Sequence, residues 1–307
     1  MGRHVIAGAG QVGAHLARHL LAQGHEVVVV TRSGSGPAEA ERVTADVTDS
    51  ERLTQITKGA DALHNCAGPA YTRWARDWPP LAASLLTAAE ATDAVLVTAG
   101  NLYGYGPVNG PMTEDLPLTA PGTKGQVRAR MWTDALAAHE AGRARITEVR
   151  GSDYFGPGAS DQTPVGTRFV PSLLAGKRTV YLGDPDQPHS WTYLPDVATA
   201  MATVATDERA WGKPWHVPNN PPLSARALAE RLCAHAEAPA PRVTPIPGPI
   251  RFALELASPL VRELKETRYQ FDRPFIVDSS AFETTFGVTA TPLDEAVAAT
   301  VAAARND

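Results

Sequence analysis

Cysteine is nearly absent from this 307-residue chain: Cys66 and Cys233 are the whole supply. Two thiols cannot build a disulfide framework or a four-ligand zinc site. We expect both to be reduced and buried, the chain to be cytoplasmic, and no metal to be bound. Long apolar runs are missing too, and none approaches the ~18 residues that a membrane span needs. Positive charge is also in short supply. The 28 Lys and Arg are outnumbered by 33 Asp and Glu, the net charge is −5, and no basic stripe is visible. That argues against a nucleic-acid partner. No targeting segment is in view, because Met1-Gly2-Arg3-His4 leads straight into Val5-Ile6-Ala7. Ile6 also stands where a myristoylation motif needs Ser or Thr. What is present is 43% hydrophobic and 20% charged residues, which excludes a disordered or collagen-like chain and suffices for a core without staples.

The first half alternates short β-rich runs with helical patterns, as a parallel sheet with crossover helices requires. The pattern predicts strands at 3–7, 26–31, 42–47, 61–66, 94–98 and 144–150. Helices are predicted between them at 11–23, 49–58, 79–92 and 123–141. The second half is more broken, with proline clusters at 218–222 and 239–249. Two helices are predicted there, 224–236 behind a Ser224 cap and 293–304 opened by Pro292. No internal repeat or low-complexity tract appears.

One motif carries chemistry at once. Gly8-Ala9-Gly10-Gln11-Val12-Gly13 follows a predicted strand and opens a predicted helix within one βαβ unit. There Gly10 lets the backbone approach a pyrophosphate, and Gly13 lets the helix pack on the strand. The helix N-terminus supplies positive potential. The next strand ends Val30-Thr31-Arg32-Ser33, with no acid to hold a ribose 2′-OH. Arg32 and Ser33 suit a 2′-phosphate instead, so the expected cofactor is NADP(H) rather than NAD(H).

Further segments fall into a familiar order. Ala45-Asp46-Val47-Thr48-Asp49 resembles the "gDltD" stretch that flanks the adenine in extended short-chain dehydrogenase/reductases. Asn65-Cys66-Ala67-Gly68 is similar to their segment after the fourth strand, Leu102-Tyr103-Gly104 to V-Y-G, and Glu114-Asp115-Leu116-Pro117 to E-x-x-P. Arg150 with Tyr154-Phe155-Gly156-Pro157-Gly158 resembles R-x-x-N-V-Y-G-P-G, with Asp153 where Asn is usual. Tyr193-Leu194-Pro195-Asp196-Val197-Ala198 resembles Y-V-x-D-V-A. The closing Phe286-Gly287-Val288 and Thr291-Pro292-Leu293-Asp294-Glu295 are similar to the usual C-terminal segment. Across nearly its whole length the chain resembles the NAD-dependent epimerase/dehydratase family. The resemblance implies an α/β fold, a Rossmann-like doubly wound parallel sheet with a smaller C-terminal substrate domain. We expect residues 1–165 to bind the dinucleotide, with a return to that domain near 190–206, and 166–307 to be mainly substrate domain. It further implies cofactor contacts at Gly8, Gly10, Gln11, Val12, Gly13, Arg32, Ser33, Asp46, Val47 and Ala67. It implies a homodimer as well.

The resemblance breaks at the chemistry. The family uses a Ser or Thr with Tyr and Lys in Y-x-x-x-K, the tyrosine acting as proton shuttle. Counted from Tyr103, the hydroxyl position falls on Ala99, with Thr98 one place earlier. The tyrosine position falls on Lys124 and the lysine position on Arg128. No tyrosine occurs between Tyr105 and Tyr154, so no shift of register restores it. Lys124 can then be a buried amine that donates a proton, a cofactor or substrate anchor, or a solvated helix-face residue. Arg128 can hold the ribose but cannot shuttle a proton. Tyr103 or Tyr154 is an alternative phenol. We take Thr98, Tyr103 and Lys124 as the catalytic candidates and Arg128 as a cofactor contact.

The substrate side departs too. Where nucleotide-sugar enzymes of the family carry an arginine for the diphosphate, this chain has His189, a poor substitute for a bidentate guanidinium. The expected activity is NADP(H)-dependent reduction or oxidation of a small carbonyl, imine or enone that is not a nucleotide sugar, as in secondary metabolism. The alternatives are a non-redox isomerase, lyase or cyclase that keeps the dinucleotide as structure, and an inactive NADP-binding sensor.

Overall fold

The computed structural model describes residues 1–306. Its first six strands are β1 (Arg3–Ala7), β2 (Glu26–Thr31), β3 (Glu41–Thr44), β4 (Ala62–Asn65), β5 (Val95–Asn101) and β6 (Ile146–Gly151). Five strands of three or four residues follow: β7 (Asp153–Phe155), β8 (Arg178–Tyr181), β9 (Trp191–Tyr193), β10 (Pro214–His216) and β11 (Arg242–Pro245). Seven of them form one sheet in the order β10-β6-β5-β4-β1-β2-β3, and every pairing in it is parallel. The strand order reverses between β1 and β4, which is where doubly wound sheets open a crevice for ligands. The crossovers are α1 (Gln11–Ala22), α2 (Ser50–Thr57), α3 (Trp74–Thr92) and α4 (Thr123–Glu140).

Central strands of a sheet covered on both faces should read as continuous apolar runs, and they do: Val27 to Val30 and Val5 to Ala7 are all buried. The helices pack against them through Leu16, Leu20, Leu53, Ile56, Trp78, Leu85 and Trp132. Asp49 caps α2 by accepting the Arg52 N–H at 3.0 Å. The predicted helix from Pro79 begins a turn earlier, at Trp74, and carries Pro79 and Pro80 inside it. Burial of Trp78, which is fully enclosed, outweighs the rule that proline opens a helix.

The chain divides into two compact units. The first is Met1–Gly104, Pro117–Gly151 and Val197–Val217; the second is Tyr105–Leu116, Ser152–Asp196 and the chain from Pro218 onward. The crossing thus falls at Gly151, the end of β6, rather than after residue 165, because Ser152 onward builds a separate core. In that second unit β7 pairs with β9 and β8 with β11, both parallel. Its core gathers Phe155, Phe169, Tyr181, Trp191, Leu228, Phe271 and Val297. The helix Ala225–His235 is capped as expected, Ser224 Oγ accepting the Ala227 N–H at 3.1 Å. Asp196 holds the start of the last helix by accepting the Thr291 N–H at 2.9 Å and its hydroxyl at 2.6 Å. None of the described helices is long and apolar enough to cross a membrane.

One buried feature was not expected. His4 on β1 and His64 on β4 place Nδ1 and Nε2 3.0 Å apart, both rings enclosed. One ring donates and the other accepts, so both are neutral. His25 packs edge-on to His4 with centroids 4.7 Å apart. Burial, helped by the His25 charge and opposed by Asp61, pulls His4 from 6.5 to about 4, and burial takes His64 well below its usual value. In the unfolded chain these rings take up protons near pH 6.5, while in the fold they do not. Stability is therefore full above pH 6.5 and falls as pH drops toward 4, by up to about 3 kcal/mol for His4 alone. Denaturant unfolding at several pH values checks this. The wild type should lose more stability between pH 6.5 and 4 than a His4→Val/His64→Leu variant, and parallel losses would refute it.

Candidate active site

Gly8-Ala9-Gly10-Gln11-Val12-Gly13 turns β1 into α1. Gly8 sits at φ +100, and a Cβ there would lie 2.7 Å from the Cys66 carbonyl oxygen. A Cβ on Gly13 would run into the Gly8 carbonyl. The first glycine thus admits the loop after β4, and the third seats α1 on the strand. Gly10 differs from both. It is exposed, its φ is −71 and ψ −167, and a Cβ on it would meet nothing within 4 Å. No side chain caps α1 at Gly10. The first turn begins here, and the positive end of a helix suits an anion.

The neighbouring strand ends extend this cradle. Arg32 and Ser33 follow β2 and are exposed, with Ser33 Oγ donating to Ser35 Oγ at 2.9 Å. Asp46 accepts the Thr48 N–H at 3.0 Å and the Thr48 hydroxyl at 2.9 Å. Those bonds, with the Arg32 charge nearby, hold its carboxyl below the usual carboxylate range. Val47 is buried, and its carbonyl accepts the Ser84 hydroxyl at 2.6 Å, which pins the segment to α3. Ala67, after β4, is the residue that a Gly8 side chain would touch. Glycine turn, Arg32, Asp46 and Ala67 lie after β1, β2, β3 and β4, which are adjacent in the sheet. The residues present fit an extended dinucleotide: an open backbone turn for phosphate, flanked by polar and cationic groups. Burial pushes the Cys66 thiol up to about 12, so it is no nucleophile beside the turn.

Helix α4 presents the second half of the site. Lys124 is 1% exposed, which removes the solvated-face reading. Gly125 lets the first turn of α4 press against the Tyr103 carbonyl and Ala120, where a Cβ would collide. Lys124 Nζ lies 4.6 Å from the centroid of the Tyr71 ring. One turn on, the Arg128 guanidinium lies 5.0 Å from the Trp74 ring and 4.4 Å from the Trp78 ring. Its Nη1 also donates to the Ala99 carbonyl at 3.4 Å. Tyr103 closes the group, stacking on Trp74 with centroids 5.8 Å apart. Its backbone N–H is held by Asn101 Oδ1 at 3.2 Å.

The structure thus brings Lys124, Arg128 and Tyr103 together, but not Thr98. Side chains alternate along a strand, and Thr98 shares the face of Leu96. With Asn65, Leu86, Val127 and Glu148 both line a cavity of about 380 Å³ between α3, α4 and the sheet. Lys124 and Arg128 take no part in that lining. Sequence reasoning missed Tyr71, Trp74 and Trp78. Their spacing, three and then four residues, was the available signal, since it places aromatic groups on one helical face. Lys124 and Arg128, four apart, make the facing cationic stripe.

In the second unit His189 is 2% exposed. Its Nε2 is 3.0 Å from Asp153 Oδ2 and 3.4 Å from Ser152 Oγ, and its Nδ1 is 3.2 Å from the Gln270 carbonyl. Trp191, Phe271 and Phe275 surround the ring. The position that carries a diphosphate-binding arginine in nucleotide-sugar enzymes is therefore a satisfied buried imidazole. Tyr154 follows Asp153 on β7. Among the described residues, no three His, Cys, Asp or Glu side chains could hold a metal ion.

Comparison with known proteins bears on the fold and the family. The family model described as NAD dependent epimerase/dehydratase family matches residues 4–217. A UDP-glucose 4-epimerase of Mycolicibacterium smegmatis is 24% identical over 262 residues, 76% of this chain and 82% of that protein. A decarboxylating sterol-4-alpha-carboxylate 3-dehydrogenase of Bos taurus is 22% identical over 256 residues, 78% of this chain and 70% of that one. The crystal structure of a dTDP-glucose 4,6-dehydratase from Bacillus anthracis in complex with NAD superposes with a TM-score of 0.80 at 15% identity. It covers 100% of this chain and 97% of that one, a likeness of fold. With the glycine turn, the seven-stranded order and a family match across most of the sequence in agreement, the chain belongs to the NAD-dependent epimerase/dehydratase family.

Proposed function

We propose that the chain is an NADP(H)-dependent oxidoreductase of the extended short-chain type. Its substrate is a small carbonyl, imine or enone that is not a nucleotide sugar. The observation that carries the reading is the pairing of an open glycine turn with a buried cationic stripe, Lys124 and Arg128, on α4. A nicotinamide dinucleotide, when bound, supplies or accepts hydride; the chain supplies position and charge. Gly10 and the first turn of α1 hold the pyrophosphate. Arg128, clamped between Trp74, Trp78 and the Ala99 carbonyl, takes the place of the ribose-holding lysine. Lys124 brings a positive charge to the oxygen that gains electron density as hydride moves, and Tyr103 lines the same group of side chains. Arg32 favours a 2′-phosphate, because no acid stands at the end of β2. The buried, satisfied His189 supports a substrate without a diphosphate, and the sterol dehydrogenase among the relatives is named for such a substrate.

Three measurements test this reading. NADP(H) should bind more tightly than NAD(H) in calorimetry, and Arg32→Ala should narrow the gap by about 1–3 kcal/mol, the worth of a charge-assisted contact. Equal wild-type affinities would overturn the cofactor choice. Gly10→Val should fold and melt like the wild type, since its backbone angles suit any residue and its side chain meets open space. It should nevertheless lose dinucleotide binding, because the valine would occupy the pyrophosphate's place. Lys124→Met should lower turnover on a carbonyl panel by at least ~10² while dinucleotide affinity changes far less. Tight NADP(H) binding with no reduction of any carbonyl, imine or enone would instead favour a non-redox or sensor role.

A further inference from the structure

The helix that should carry the proton-transfer tyrosine has none, yet a phenol stands over the residue that replaced it. We infer that Tyr71 is the proton donor of this enzyme and Lys124 its charge partner, a tyrosine–lysine couple assembled from two elements rather than within α4. The inference rests on the proposed hydride-transfer reading and names the acid that it lacks.

Four observations support it. Lys124 Nζ lies 4.6 Å from the centroid of the Tyr71 ring, close enough for an ammonium to favour the phenolate over the phenol. Exposure separates their roles. Lys124 is 1% exposed, whereas Tyr71 is half-buried, so the phenol is the member of the couple that can meet a substrate. Position agrees as well. Tyr71 comes four residues after Ala67, which lies against Gly8 in the dinucleotide cradle. The ring is also braced, tilted against Trp74 with centroids 5.2 Å apart, while Trp74 stacks on Tyr103 and meets Arg128. A phenol held in this way loses little freedom on meeting a substrate.

The step balances without a further reactant. In the reductive direction a bound dihydronicotinamide would supply hydride to the carbonyl carbon, and the C=O π pair would move onto oxygen. That oxygen forms a bond to the Tyr71 proton as the phenol O–H bond breaks. The phenolate is left beside the Lys124 ammonium and regains a proton from water. Oxidation runs the same path backwards. Lys124 keeps its proton throughout, which removes the need for a neutral amine in a buried site.

Tyr71→Phe is the deciding variant, because phenylalanine keeps the ring face toward Lys124 and deletes only the hydroxyl. A purely structural ring predicts a silent change. The couple predicts a loss of at least ~10² in turnover with KM and NADP(H) affinity unchanged. A second readout needs no cofactor. Subtracting the Tyr71→Phe ultraviolet pH titration from that of the wild type isolates one phenol among seven. That phenol should ionise about 1–3 pH units lower than it does in Lys124→Met. A difference titration that Lys124→Met leaves unmoved would overturn the couple, as would full turnover in Tyr71→Phe. Failure of the functional reading looks different: the phenol still ionises early, while NADP(H) does not bind.

Discussion

The C-terminal edge of the sheet depends on one steric fact, the absence of Cβ atoms at Gly8 and Gly13. Without them the Gly8 carbonyl can lie under α1 while Cys66 and Ala67 lie against Gly8. Two loops that leave adjacent strands in different directions are thereby drawn together at the point where strand order reverses. A side chain at either position would push them apart and displace everything downstream of β4. The residues next along that loop are Tyr71 and Trp74, so the same close contact that shapes the phosphate turn also fixes where the aromatic stripe begins.

The second constraint is electrostatic. An ammonium taken out of water is costly unless something replaces its hydration. Around Lys124 and Arg128 three ring faces do so, each worth about 0.5–2 kcal/mol according to how far water is excluded. The two stripes interlock: Lys124 meets Tyr71, and Arg128 lies over both Trp74 and Trp78. This locking accommodates two cations one turn apart on the buried start of α4. It also explains why arginine suits position 128, since a planar guanidinium can lie over two indoles and still donate to the Ala99 carbonyl.

The sequence made the first unit legible because its signals are local. Valine runs and a glycine turn each act within a few residues, and β1, β2 and α1 fall within a residue of where the pattern puts them. The start of α3 was not legible, because a proline pair argues for a helix opening and only the burial of Trp78 overrides it. Strands of three or four residues in the second unit give too little alternation to be read. The cradle residues were legible as a motif. The Lys124–Tyr71 contact was not, since 53 positions separate the partners and nothing local announces it. The same holds for His4 and His64, which meet only because β1 and β4 become neighbours.

Thr98 and Ala99 show how a single-residue offset redistributes function along a strand. The methyl of Ala99 can take no part in proton transfer, and its carbonyl is engaged by Arg128. Thr98, one residue earlier, faces the opposite side and shares a cavity with Glu148. That carboxylate is itself committed, its Oε1 2.7 Å from Arg150 Nε with both side chains nearly enclosed. Gly100 leaves the room it needs, because a Cβ there would lie 2.6 Å from the same oxygen. The acid on β6 therefore pairs with β6's own arginine. Cationic side chains with aromatic walls are what α4 and the segment Tyr71–Trp78 bring together at this end of the sheet. On the proposed reading the proton then comes from Tyr71 rather than from α4.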